Sequence, residues 1–545
     1  LSIDGKDRDV APGSTIFDVA DELGVRVPTS CRKNGKCREC LVEIELGDDL
    51  LSERVPEEEH LQGRFRLACR ARVVASSGMV RCHTLRRGEM RISEAGKGLP
   101  SSENARLDPA VTRDGDWVLL DDEPLVRAEG ALHGVAVDLG TTTIVLRLVD
   151  LESGRVVATR SFENPQRFGG SDVMARIQYD TDHKGRLLQR TLLGYLSHAI
   201  EDLPCDPATI YEMLVVGNTT MRDLFFGLPV YTIGQMPYRS IVEKEMDDGD
   251  RDTTAIETMA ERLRLPVFPH ARVVSLPLVR GHVGADTTAC LLAIGFERGE
   301  GTVALMDIGT NTEIIVGHRD RALSASCPAG PAFEGGSIAC GMPGLEGAIE
   351  SVSVDEDGSV SMTVIGGGGP VGICGSGLVE TLGELRRTER MSELGRFVDE
   401  SERFVVDQDA GVYVSEADIS ELAQAKGANV AGLSIVLDRY GVEFSDLDRF
   451  YLAGGFAEHL DLDAARRIGF VPDLPDGRVE QIGNAAIEGA TIALRSRSAR
   501  VEIERIVQRI QHVELEVEES FFDFFVEGCQ FHPFGTSGEK SRGDS

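Results

Sequence analysis

GVAVDLGTTTIVLRLVDLESGRVV, residues 134–157, reads as a buried apolar strand ending in Asp138, a tight turn Gly140-Thr141-Thr142-Thr143, and a second strand returning after it. Such a hairpin grips phosphate. Glycine lets the backbone approach the oxygens, the threonine hydroxyls and amides donate hydrogen bonds, and Asp138 at the strand end is placed to hold hydrated Mg2+. The device returns in GTVALMDIGTNTEIIVGH, residues 301–318. There Asp307, Gly309, Thr310, Asn311 and Thr312 take the positions of Asp138, Gly140, Thr141, Thr142 and Thr143. A single D-x-G turn between strands is common, but its repetition marks an internal duplication.

A third glycine turn, Gly454-Gly455 in DRFYLAGGFAEHL, completes a pattern that resembles the actin, sugar kinase and Hsp70 superfamily. The resemblance implies a duplicated actin-like (ribonuclease H-like) ATPase core whose two hairpins face each other across a cleft. The first two turns would clasp the phosphates of ATP, and Gly454 and Gly455, with Phe456 beside them, would border the nucleoside. LVVGNTTMRDLFFG and IGNAAIEGATIAL resemble that superfamily's hinge helices, with Gly217 and Gly489 permitting close packing.

Nearer the start, Cys31, Cys37, Cys40 and Cys69 are spaced C-x5-C-x2-C-x28-C. Three lie in PTSCRKNGKCREC, where Gly35 and small polar residues allow backbone amides to turn toward the sulfurs; Cys69 closes the cage from FRLAC. The spacing resembles adrenodoxin-like ferredoxins and implies a 2Fe-2S cluster. A zinc site would pair its thiolates as two close knuckles, and Cys69 has no such partner. Disulfides belong to oxidising compartments, whereas a chain without a signal peptide and with thinly strewn cysteines fits a reducing cytoplasm. Cys82 is the one plausible substitute for Cys69; the six cysteines beyond it form no close-spaced set.

Residues 1–90 are expected to form the ferredoxin-like domain. A hairpin at Asp4-Gly5, a Pro12-Gly13 break and a helix capped by Ser14 or Thr15 precede the cysteine loop, the ubiquitin-like (β-grasp) order of such domains. Without an initiator Met, the sequence reads as starting inside the first strand. Residues 91–130, with KGLPSSENARLDP, read as linker, either a tether that lets the cluster domain move or a fixed strap. The first part of the ATPase core is assigned to 131–210, the remainder to 211–530, and 531–545 to a disordered tail. A length of 545 residues suits several domains. The formal net charge of −33 argues against nucleic-acid binding. No apolar stretch is long enough to span a membrane.

Other motifs are less specific. Asp286, in GHVGADTTACLLAIG, is either a water-orienting carboxylate or a helix cap. Glu334 and Ser376 stand out in glycine-rich runs that could line the nucleotide site, and NPQRFGGSDVMARIQY starts a helix near Ser171 or Asp172. There is no G-x-S-x-G elbow, H-E-x-x-H or G-x-x-x-x-G-K-[ST] loop. His459 reads as a surface or cap histidine.

A 2Fe-2S domain, a linker and a duplicated actin-like ATPase in one chain resemble the reductive activators of corrinoid proteins, over residues 1–535. The resemblance implies that ATP drives one low-potential electron from the cluster to a Co(II) corrinoid on a transient partner in a methyltransferase system, regenerating Co(I). It also implies a low-potential electron donor and a homodimer. A branch with C-terminal 4Fe-4S clusters is disfavoured, because Cys529 is the one cysteine near the end. Two other readings are an ATP-driven electron donor to a different low-potential metalloenzyme, like the activators of 2-hydroxyacyl-CoA dehydratases, and a nucleotide-dependent redox sensor.

Overall fold

The structure, a computed structural model, describes residues 1–86, 106–455, 457–475 and 477–535. The described residues divide into two compact units: 1–86, 106–286 and 493–497 make one, and the described residues of 287–492 and 498–535 the other.

The first unit begins with a five-stranded sheet ordered β2-β1-β5-β3-β4, from β1 (Ser2–Ile3), β2 (Lys6–Asp7), β3 (Leu41–Leu46), β4 (Phe65–Leu67) and β5 (Arg81–Thr84). The Ile16–Leu23 helix packs Ile16, Phe17, Val19 and Ala20 inward; Thr15 caps it and Gly24 ends it in the left-handed conformation. This is the β-grasp layout expected from the order of sequence signals. Next, β6 (Val111–Asp114), β7 (Trp117–Leu120) and β8 (Glu123–Arg127) form a three-stranded antiparallel sheet. The latter part of the stretch read as linker is therefore folded, with Asp121 and Asp122 supplying the positive φ of its second turn. Residues 91–105 lie outside the described residues.

The duplication is explicit in strand order. The first unit holds a sheet ordered β11-β10-β9-β12-β14-β13, from β9 (His133–Leu139), β10 (Thr143–Asp150), β11 (Val156–Glu163), β12 (Ile210–Gly217), β13 (Ile256–Met259) and β14 (Arg272–Ser275). In the second unit, β15 (Val303–Ile308), β16 (Thr312–His318) and β17 (Arg321–Cys327) precede β18 (Ala348–Val354), β19 (Val360–Val364), β20 (Gly372–Ile373), β21 (Arg403–Asp407) and β22 (Val412–Ser415), which build two small sheets. The large sheet there runs β24-β23-β15-β16-β17-β25, using β23 (Arg449–Ala453), β24 (Val479–Gly483) and β25 (Ile510–His512). In both sheets a three-stranded antiparallel meander is extended by parallel strands, and the first meander strand is central.

Two features depart from the sequence reading. The helix crossing Ala485–Arg495 at Gly489 is Ala285–Ala293, where a Cβ on Gly489 would overlap the Ala289 carbonyl. Both helices follow the second parallel strand of their half, which makes them the matching pair; Thr219–Phe226 instead follows the first. Residues 531–535 are packed: Phe531 is buried, its amide donates to Glu393 O at 2.8 Å, and the Phe534 carbonyl accepts from the Asp473 amide at 2.9 Å. Residues 536–545 lie outside the described residues.

The cluster domain is docked rather than set apart. One apolar core runs from Ile3, Leu41 and Leu85 through Tyr195 and Leu196 to Val215 and Val273. Its seam is the Leu187–Glu201 helix. The buried Tyr195 hydroxyl accepts from the Leu85 amide at 3.0 Å and donates to Leu41 O at 3.2 Å. Arg190 donates to Glu39 Oε1 at 2.6 and 2.9 Å and to the Cys37 carbonyl, while Arg167 pairs with Glu43 at 2.8 Å.

Candidate functional site

The four predicted iron ligands converge in the loop 25–40 and at Cys69. Cys40 Sγ lies 3.3 Å from Cys69 Sγ, and the Thr29 hydroxyl lies 3.7 Å from Cys37 Sγ and 4.0 Å from Cys31 Sγ. The loop bends through left-handed backbone at Arg32, Lys33, Gly35 and Arg38, which points its amides inward. Burial would raise the Cys31 thiol, but hydrogen bonds from the Cys37 amide and thiol, the Asn34 amide and Thr29 bring it down to about 7. The Cys40 thiol donates to Cys69 and so lowers it, helped by the Arg70 charge and the Gly35 amide; Cys40 itself is pushed up by that bond and by burial.

These residues fit a 2Fe-2S cluster. They form two pairs, Cys31 with Cys37 and Cys40 with Cys69, which matches two thiolates per iron, and the inward amides share the sulfurs' negative charge. Cys82 is not part of the cage: it is buried on β5, its thiol faces the Ser2 carbonyl at 3.5 Å, and burial pushes it up to about 12.

Each Asp-x-Gly hairpin sits at the end of a central strand. In the first, Asp138 is buried near the end of β9, opposite Val145 and Val216, and Gly140 to Thr142 make the turn before Thr143 opens β10. Two asparagines not singled out from sequence hold this turn. Asn164 donates from its side chain to Gly140 O at 2.8 Å and from its backbone to Thr142 O at 2.7 Å, and Asn218 Nδ2 donates to Thr141 Oγ1 at 3.0 Å. Their signals were local: Asn164 precedes Pro165, and Asn218 caps the Thr219–Phe226 helix.

In the second hairpin Asp307 is one residue from the end of β15, opposite Glu313 and Ala453, and Gly309, Thr310 and Asn311 turn into Thr312 on β16. Burial pushes Asp307 up to about 6 against the opposing hydrogen bond from the Cys290 thiol. Thr310 Oγ1 donates to Glu334 Oε2 at 2.5 Å, which brings one glycine-rich run to the turn. Ser376 is engaged elsewhere, donating to Glu350 O at 3.0 Å near the start of the Gly375–Arg387 helix. Asp286 lies within the first turn of the Ala285–Ala293 helix, one residue inside its start, where a carboxylate complements the helix dipole.

Gly454 abuts this second turn. Its φ is +110° and a Cβ there would overlap the Ile308 carbonyl, so the chain can pass the Gly309 turn at this point with glycine alone. Gly455 faces open space. The matching residues are Gly217, which ends β12, and Asn218; Asn218 fills in the first half the position that the double glycine leaves open in the second. Phe456 lies outside the described residues. His459 is exposed, as expected.

Three family models match the chain in order. The 2Fe-2S iron-sulfur cluster binding domain covers residues 1–74, the RACo middle region 133–299, and the C-terminal domain of RACo, the ASKHA domain, 301–538. The chain is 28% identical to the corrinoid activation enzyme RamQ of Eubacterium limosum, over 96% of this chain and 97% of that protein. It is 23% identical to the Co(II) methylated amine-specific corrinoid protein reductase of Methanosarcina barkeri, over 72% and 76%. A solved structure titled reductive activator for corrinoid,iron-sulfur protein is similar with a TM-score of 0.70 and 26% identity, over 96% of this chain and 97% of that one.

Proposed function

The chain belongs to the family of reductive activators of corrinoid proteins, and from that premise we propose that it uses ATP to return an inactive Co(II) corrinoid on a partner protein to Co(I). One observation carries the reading: a paired four-thiol cage and a duplicated Asp-x-Gly-Thr fold occur in one chain, and that chain is similar to RamQ and to the solved reductive activator over 96% of its length.

Held by Cys31, Cys37, Cys40 and Cys69, the cluster supplies a one-electron carrier. Reduction to Co(I) demands a low potential, and a ferredoxin-type cluster near −400 mV, the plant-type value, leaves the transfer uphill. Each ~59 mV of shortfall is about tenfold in the equilibrium constant for one electron. Closure of the ATP-filled cleft makes up that gap by changing this protein's affinity for the partner's two redox states, or by drawing a cobalt ligand away so that the bound state is easier to reduce. In this reading Asp138 and Asp307 organise Mg2+ and water, Thr141, Thr142, Thr143, Thr310, Asn311 and Thr312 hold phosphate, and Gly454 and Gly455 border the nucleoside. Asp286 is the candidate for orienting the attacking water. The seam through Arg190 and Tyr195 couples the cysteine loop to the first duplicated half. A low-potential donor refills the cluster, and the protein acts as a homodimer, which sizing of the holoprotein checks.

The test mixes reduced protein, ATP and a Co(II) corrinoid protein and follows the Co(I) absorption band. Asp307→Ala is expected to abolish the band and leave the cluster spectrum intact. Equal reduction without nucleotide would refute the coupling.

A further inference from the structure

The cysteine loop is positive in an otherwise strongly negative protein. The formal net charge is −33, yet residues 31–40 include Arg32, Lys33, Lys36 and Arg38 against the single carboxylate of Glu39. Glu39 is buried and taken up by Arg190 and Ser30. Lys33 is held by Asp18 and Asp21 at 2.8 and 2.5 Å. Arg32, Lys36 and Arg38 make no ion pair with any described residue, and Arg32 and Lys36 are exposed.

Beside Arg32 and Lys33 the surface is concave: a cavity of about 590 Å³ is lined there by the buried apolar Phe17, Val25 and Val27 and by Thr29, with Asp21, Arg26 and His198 completing the wall. Thr29 is the residue whose hydroxyl touches Cys31 and Cys37, so the cavity comes within one side chain of two iron ligands. Cys31 is partly accessible, whereas Cys37, Cys40 and Cys69 are buried at 5%, 1% and 3% exposure. Electron tunnelling favours the shortest path, and the shortest path to solvent leaves through Cys31.

We propose that this cationic, hollow face around Cys31 is the docking site of an acidic electron-donor protein, which places its own redox centre against Cys31 and an apolar side chain in the cavity. The assignment rests on the activase reading and adds the chemistry of the partner. The step passes one electron: the donor is oxidised by one electron, the cluster is reduced by one, and no bond or proton moves. A like-charged encounter over the rest of the surface turns the donor away, and local attraction at Arg32, Lys36 and Arg38 selects its orientation.

The test uses the cluster-loaded full chain and three probes. The dithionite-reduced protein is oxidised by ferricyanide, an anion, or by hexaamminecobalt(III), a cation, in stopped flow across a salt series; the oxidised protein is then titrated with an acidic plant-type ferredoxin for binding and for cluster reduction. The ferricyanide rate and the ferredoxin affinity are expected to fall with salt, and the cobalt rate to hold or rise. Replacing all three cations (R32E, K36E and R38E together) should slow ferricyanide and weaken ferredoxin about tenfold or more, with the visible and electron paramagnetic spectra of the cluster unchanged. Lys36→Glu alone should show the same direction if the triple variant fails to take up iron. The opposite salt dependence in the native protein, a triple variant indistinguishable from native, or displacement of bound ferredoxin by the corrinoid protein would overturn the proposal and leave the activase reading standing. Failure to assemble a cluster would overturn both.

Discussion

Replacing Tyr195 with Phe deletes one oxygen from the seam between the cluster domain and the Leu187–Glu201 helix and leaves the ring, so no cavity forms. The hydroxyl is fully buried and serves two backbone groups, the Leu85 amide at 3.0 Å and the Leu41 carbonyl at 3.2 Å. An orphaned buried amide costs about 1–3 kcal/mol and the second bond about 1 kcal/mol, so the seam should weaken by about 2–4 kcal/mol. That is a substantial share of the ~5–15 kcal/mol that stabilises a typical domain, and 2 kcal/mol alone raises an undocked population about thirtyfold. Leu41 and Leu85 lie at β3 and just past β5, so loosening the seam exposes the sheet that carries Cys40 and Cys69. The assay is loss of the visible cluster bands on urea titration, with limited proteolysis between residues 86 and 187 as a second readout. Tyr195→Phe should lose its cluster at lower urea and be cut faster. An unchanged midpoint and unchanged cutting would refute the claim that this hydroxyl holds the domain in place.

Gly489→Ala drives a methyl group into the Ala289 carbonyl, so it should lower the thermal midpoint by overpacking worth about 1–3 kcal/mol and reduce ATP-dependent corrinoid reduction more than ATP binding; calorimetry and the Co(I) band check this. Asp307 is raised to about 6 from an ordinary carboxylate. Its protonated form therefore favours the folded state, a contribution fully present below about pH 4 and lost as pH rises through 6. On the proposed role of Asp307 in organising Mg2+, magnesium–nucleotide affinity should fall about tenfold per pH unit below 6, with Asp307→Asn flat across the range by calorimetric titration. Glu334→Gln replaces a charged acceptor of the Thr310 hydroxyl, and nucleotide affinity should drop by about 1–2 kcal/mol, roughly five- to thirtyfold, while the cluster spectrum stays unchanged.

What the sequence disclosed was chemistry that local spacing dictates. Four thiols around a small cluster and an Asp two residues before a glycine turn leave a pattern within one stretch, and the structure puts all four cysteines together and each Asp near the end of a central strand. The docking seam left no such trace. Tyr195 meets partners more than a hundred residues away, and a tyrosine on an amphipathic helix looks the same whether its hydroxyl meets water or a backbone amide. The β6–β8 sheet was hidden for another reason: its strands are only four or five residues long and the outer two, VTRD and EPLVR, carry charges, which outweighed the apolar WVLL between them and the turn signals at Asp114-Gly115 and Asp121-Asp122. The hinge pairing was misread because two Gly-Asn-helix segments look alike in sequence, and topology distinguishes them.

The seam through Tyr195 and Arg190 also limits how this protein can be taken apart. A ferredoxin module that could be transplanted would end in a polar surface, but residues 1–86 end just past the central strand β5, on an apolar face whose free amide and carbonyl are completed by a side chain from beyond the module. Cut free, that face is uncovered and open to self-association. Over generations, substitutions at Tyr195 and Arg190 should therefore travel with those at Glu39 and the neighbours of Leu41 and Leu85, so that electron carrier and motor are inherited as one part.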